Sequence, residues 1–113
     1  MDSNVVISHE ARRTVVFLAG EHDIATRSEL AATLAKGIAA NGADFVVDLS
    51  AVTFISVATL NELIRGRAFL RQHGRELSFR APSPSASRVL DLCGLAELVE
   101  PLSIRSAAAA LTG

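Results

Sequence analysis

The sequence predicts an α/β fold, a small mixed sheet with helices mostly on one face. Three observations carry this. Short Val- and Ile-rich runs alternate with segments of helical periodicity. Two of the runs stand back to back near the start, as the arms of a hairpin do. Glycine, proline and capping residues punctuate the boundaries.

The elements follow in order. "NVVISHE" and "RTVVFLAGEHD" read as antiparallel strands joined by the turn "EARR", and Gly20 closes the second apolar run. A helix follows in "TRSELAATLAKGIAANG". Thr26 and Glu29 form a capping box at its start, Leu30, Leu34 and Ile38 recur at helical spacing, and Asn41-Gly42 stops it. "DFVVDLS" is a compact apolar run, the pattern of a buried central strand. A short loop then leads to a second helix, with Leu60, Leu63, Ile64, Ala68 and Leu70 on its apolar face and His73-Gly74 at its end. "RELSFRAP" alternates as a strand. Ser83-Pro84 opens a short helix through "PSASRVLDLC", and Gly94 ends it. "ELVEPLSI" is expected as a last short strand, and residues 104–112, in "RSAAAALTG", as a fourth helix. The order is ββαβαβα(β)α.

Half of the 113 residues are apolar, enough for a core in one domain spanning 1–113. The net charge of −1 gives no electrostatic case for nucleic acid as a partner. No apolar run approaches the roughly 18–20 residues that span a bilayer. "MDSNVVISHEARR" lacks the basic lead and apolar block of a secretory signal, so a cytoplasmic protein with no membrane association is expected. One cysteine, Cys93, cannot form an internal disulfide; at the end of an apolar helix face it reads as a buried structural thiol.

Catalytic chemistry is not in evidence. His9, His22 and His73 are scattered in turn-like contexts without metal-ligand spacing, and read as solvated surface histidines. The tripeptide "EHD" sends its side chains in diverging directions, a poor metal cage. No Walker or dinucleotide fingerprint occurs. No enzyme activity, cofactor or metal is expected.

The residues do carry a family resemblance. "LAGEHDIATRSEL" resembles the Gly-Glu-x-Asp turn and capped helix of the STAS domain, found in bacterial anti-sigma factor antagonists and in sulfate transporters. "VVDLSAVTFIS" resembles its central strand, and "RQHGRELSFRAPSPSASRVLDLCGLAELV" its second half. The similarity runs from about residue 4 to 105 and rests on the order and spacing of the motifs. It implies a four- or five-stranded sheet with flanking helices, about four here. It also implies a partner: a histidine-kinase-like anti-sigma factor that is a serine kinase, bound so that the sigma factor is released. Phosphorylation of one Ser or Thr at the start of the second helix would break that complex.

Laid on this chain, the motif departs from the family. The family Asp falls on Ser56, the phosphorylated Ser on Val57, the small residue on Ala58, the Gly on Thr59 and the Leu on Leu60. Valine has no hydroxyl. Three readings stay open. Ser56 and Thr59 are only caps, Thr59 forming a box with Glu62. Or phosphorylation has moved to Ser56 or, less in line with the family geometry, to Thr59. Or Val57 makes a permanently unphosphorylated antagonist. The contact surface is expected around this loop: Glu21, Asp23, Ser56, Val57, Ala58 and Thr59, with Asn61 and Arg65 on the helix beside it. Ser50, Thr53 and Phe54 are expected as turn and core residues. An accessory subunit stabilising a transporter ATPase is the alternative function. A domain binding a nucleotide or lipid is a third, for which no pocket chemistry stands out. The edge strand of the hairpin could also pair with a second copy of the chain.

Overall fold

A computed structural model describes residues 3–10, 12–40 and 43–100. It contains strands β1 (Ser3–Glu10) and β2 (Arg13–His22), helix α1 (Arg27–Ala40) and strand β3 (Asp44–Ile55). Helix α2 (Val57–Gln72), strand β4 (Leu77–Arg80) and helix α3 (Pro84–Leu92) complete it. Single 3-10 turns cover Ile24–Thr26 and Ala96–Leu98. The four strands lie in the order β1-β2-β3-β4. β1 and β2 form the antiparallel hairpin; β2, β3 and β4 run parallel.

That connectivity decides where the helices go. Two successive crossovers step in one direction along the sheet, from β2 to β3 and from β3 to β4. Right-handed crossovers of that kind put both helices on the same face. α1 and α2 accordingly pack against each other. α3 adds Ala86 and Leu90 to the same core.

The pleat sorts the strand residues. Val16 and Leu18 of β2, Phe45, Val47 and Leu49 of β3, and Leu77 and Phe79 of β4 point into the core. There they meet Leu30 and Leu34 of α1 and Leu60, Leu63 and Leu70 of α2. Gly37 lies where α1 comes closest to the sheet. A Cβ there would stand 3.1 Å from the Phe45 ring and 3.2 Å from Ile7, so a residue that weakens the helix is kept for its size.

The alternate residues on the other face include an ionic network. Arg80 donates to Asp48 at 2.8 Å, also lies 3.7 Å from Glu10, and sits over the Phe17 ring. Arg13 pairs with Glu100 at 2.6 Å, and the Ser78 hydroxyl donates to the same carboxylate. Asp48 is the buried member. Burial pushes its pKa up, but hydrogen bonds from the Ser50 hydroxyl, Arg80 and the Ser50 amide together hold it below its ordinary value.

Several sequence expectations change. β3 does not stop at Ser50 to begin a loop; it runs to Ile55, and one residue, Ser56, joins it to α2. Gly20 does not end β2. It sits inside the strand with φ +79°, at one of two register shifts. Between Phe17 and Ala19, β3 advances from Asp48 to Ala51; between Gly20 and Glu21 it advances from Val52 to Phe54. Each shift adds one residue to β3, a bulge that breaks the two-residue alternation. Val52 and Ile55 therefore face the core, while Phe54, expected inside, is exposed.

Other corrections are local. The α1 entry is capped by Asp23, whose carboxylate accepts from the amides of Ala25 and Thr26, rather than by a Thr26–Glu29 box. Of the expected strand in "ELVEPLSI", the described part, residues 97–100, carries one bridge, between Phe79 and Val99, and residues 101–104 lie outside the described residues. Cys93 is exposed, because the helix stops at Leu92 and Leu95 turns back onto the core instead. Gly94, at φ +70°, makes that reversal, with the Leu95 amide donating to the Leu90 carbonyl at 2.8 Å. The helix expected over 104–112 lies outside the described residues.

The Asp48 network predicts an acid dependence. A carboxylate held below its ordinary pKa adds stability that is present above its unfolded value, near 3.8, and lost as pH falls through the folded value. Chemical denaturation from pH 7 down to pH 2.5 should show that loss below about pH 4. Asp48→Asn should cost about 1–3 kcal/mol at pH 7 and flatten this acid limb.

Candidate functional site

The far ends of β2 and β3 and the start of α2 meet at one tip of the fold. Their meeting point is the backbone carbonyl of His22. It accepts the Ser56 amide at 2.9 Å and the Thr59 hydroxyl at 3.1 Å. The Thr59 hydroxyl also lies 3.3 Å from the Asp23 carbonyl. Two strand ends and a helix N-terminus are thereby pinned to one oxygen.

Ser56 is the cap of α2. Its hydroxyl oxygen accepts the Thr59 amide at 3.1 Å and lies 3.0 Å from the Thr59 hydroxyl oxygen. Thr59 has one hydroxyl hydrogen, directed to the His22 carbonyl, so Ser56 is the donor in that pair. Both capacities of the Ser56 hydroxyl are engaged. The Thr59–Glu62 box does not form. Thr59 lies in the first turn, fully buried, and the Glu62 carboxylate faces Arg65 at 3.3 Å and Arg27 at 3.8 Å. The reason is the length of β3: with no loop before the helix, the capping position falls on Ser56.

Val57, the first helical residue, projects outward and is 54% exposed. Phe54 at the end of β3 and Ile24 after the Asp23 cap are 47% and 65% exposed. Each of the three lies within two residues of the His22–Ser56 hydrogen bond. Large apolar side chains gathered on a surface mark an interaction site. Glu21 stands across from Phe54 in the strand register, and Asp23 beside Ile24. Ala58 is half-buried, and Asn61 and Arg65 are exposed on α2.

The tip thus brings together Glu21, Asp23, Ser56, Val57, Ala58 and Thr59. Asn61 and Arg65 lie further along the helix. Sequence reasoning missed Ile24 and Phe54. Ile24 carried a signal, an apolar residue immediately after a capping aspartate. Phe54 carried none, because its exposure follows from the bulges. His22 was also misread as solvated. It is fully buried, since β2 continues two residues past Gly20 and keeps it in the sheet. Among the described residues no three His, Cys, Asp or Glu side chains group as a metal cage, and no helix is long and apolar enough to cross a membrane.

The chain thus joins a mixed sheet with its helices on one face to an apolar tip at a capped helix start. A family model described as "Mlab, STAS domain" matches residues 5–100, and the chain belongs to the STAS domain family. Solved structures show the same fold. One is the anti-sigma factor antagonist SpoIIAA in its unphosphorylated form, with 16% identity, 97% of each chain covered and a TM-score of 0.78. A second is an anti-sigma factor antagonist from Mycobacterium paratuberculosis, with 23% identity, 99% of this chain and 96% of that chain covered, and a TM-score of 0.78. A third is a putative anti-sigma factor antagonist from Thermotoga maritima, with 16% identity, coverage of 96% and 95%, and a TM-score of 0.73. A search of the curated proteins finds no match.

The hydrogen bonds at the tip predict how the two hydroxyls differ. Ser56→Ala should cost about 1 kcal/mol, the value of a helix cap. Thr59→Val removes a buried donor from the His22 carbonyl and should cost about 1–2 kcal/mol. Urea unfolding of both variants checks this, and similar m-values would show that each remains two-state.

Proposed function

We propose that this chain is a docking protein of the anti-sigma factor antagonist type, acting in the cytoplasm as one STAS domain. Its tip binds an anti-sigma factor of the histidine-kinase-like ATPase type and so frees a sigma factor. Val57, Phe54 and Ile24 form the apolar centre of the contact. Glu21 and Asp23 face cations on the partner, and Asn61 and Arg65 lie at the rim. Ser56 and Ala58 shape the helix start, and Thr59 holds it from inside.

One observation carries this reading. Val57, which the family resemblance lays on the switch position, is exposed at the first position of α2. A phosphoryl group there would bring about −1.5 to −2 charges into the centre of a contact. Valine cannot accept one. The tip therefore stays apolar, and the protein acts as a constitutive binder governed by its abundance or by another signal. The family resemblance and the shared fold support the class of partner; the exposed apolar trio supports the place of contact.

The same absence of a switch hydroxyl favours a second reading, an accessory subunit that stabilises a transporter ATPase through this tip. Co-purification separates the two. A kinase-like anti-sigma factor supports the first, and an ABC-type ATPase the second.

Incubation with the kinase-like partner and ATP should leave the intact mass of the chain unchanged. Addition of one phosphoryl group in stoichiometric yield would overturn the constitutive-binder reading. Val57→Asp places a charge at the apolar centre and should weaken the complex at least about tenfold by calorimetry.

A further inference from the structure

Next to the tip, on the α1 side of the hairpin, lies a cavity of about 360 Å³. Asn4 of β1, His22 of β2, Thr26 of the 3-10 turn, and Glu29 and Thr33 of α1 supply its polar wall. The volume falls in the range of small-molecule sites. The directions of the hydrogen bonds around it decide what it can hold.

His22 is the one fully buried member of this wall. Its Nε2 lies 2.9 Å from the Ala19 carbonyl oxygen. A carbonyl only accepts, so Nε2 carries a proton, and in that tautomer Nδ1 presents a lone pair. Nδ1 has no hydrogen-bond partner among the described residues. A buried acceptor left in that condition is costly. The Thr26 hydroxyl spends its hydrogen on the Asp23 carbonyl at 3.1 Å, and the Thr33 hydroxyl on the Glu29 carbonyl at 2.9 Å. Both oxygens keep lone pairs only. The Glu29 carboxylate accepts and carries a negative charge, and none of the described ion pairs includes it. Among the described side chains of the wall only the Asn4 amide can donate, and none of the described residues of the wall is a lysine or arginine.

A wall of acceptors with one net negative charge selects a ligand rich in N–H donors and positively charged. We propose that this cavity binds a small organic cation, an alkylammonium or alkylguanidinium. Its N–H groups sit on the Glu29 carboxylate and the Thr26 and Thr33 oxygens, with one directed to His22 Nδ1. That nitrogen has almost no exposed surface, so the last contact requires the wall to open around the ring. The same His22 holds the tip through its carbonyl, which places the ligand one residue's length from the docking surface.

The test uses the isolated chain, so its failure leaves the docking reading untouched. Amide NMR spectra are recorded during titration with n-butylammonium chloride and, as a control of matched size and opposite charge, sodium butyrate. The expected result is saturable shifts at His22, Thr26, Glu29 and Thr33 with butylammonium and none with butyrate. The ring Nδ1 signal of His22 should move toward its hydrogen-bonded position. Glu29→Gln, at an exposed position on α1, should keep the native spectrum and weaken binding at least about tenfold. Shifts that do not saturate, an equal response to butyrate, or unchanged binding by Glu29→Gln would each overturn the proposal.

Discussion

The hydrogen bonds that converge on the His22 carbonyl are the constraint on which the tip depends. That oxygen receives the Ser56 amide and the Thr59 hydroxyl, so β2, β3 and α2 end or begin at a shared point. The Asp23 carboxylate turns the chain into α1 one residue later. Without this convergence, Ile24, Phe54 and Val57 would belong to three independent segments. With it they form one surface. The apolar character of that surface is held in place by polar groups beneath it.

The same frame engages the serine at the start of α2 on both sides. Its oxygen accepts the Thr59 amide, and its hydrogen goes to the Thr59 hydroxyl. The outward position beside it belongs to Val57, whose side chain carries no hydroxyl. Burial of Thr59 removes the remaining hydroxyl from the surface. Local geometry and residue type thus agree on an exposed apolar tip over a hydrogen-bonded base.

Much of this was legible in the sequence. The order of strands and helices followed from periodicity, and Ser83-Pro84 and Gly94 gave both ends of α3. The family resemblance pointed to the STAS domain, and the family model matches residues 5–100. What was not legible depends on pairs of strands. The two bulges on β3 are a property of its register with β2, and no residue in "SAVTFI" announces them. They lengthen the strand, expose Phe54, shift the cap to Ser56 and deny Thr59 its expected role. His22 was misread for a related reason: Gly20 looks like a stop, but its positive φ serves a bulge within a continuing strand. Asp23 and Thr26 are both competent caps, and only the path of β2 selects between them.

Hydrogen–deuterium exchange of the chain, free and bound to the proposed anti-sigma partner, tests the central claim most directly. If the tip is the contact, protection on binding will concentrate in residues 21–24 and 54–61, at both strand ends and the first turn of α2. Protection confined to β4 and α3, with the tip exchanging as in the free chain, would contradict the account.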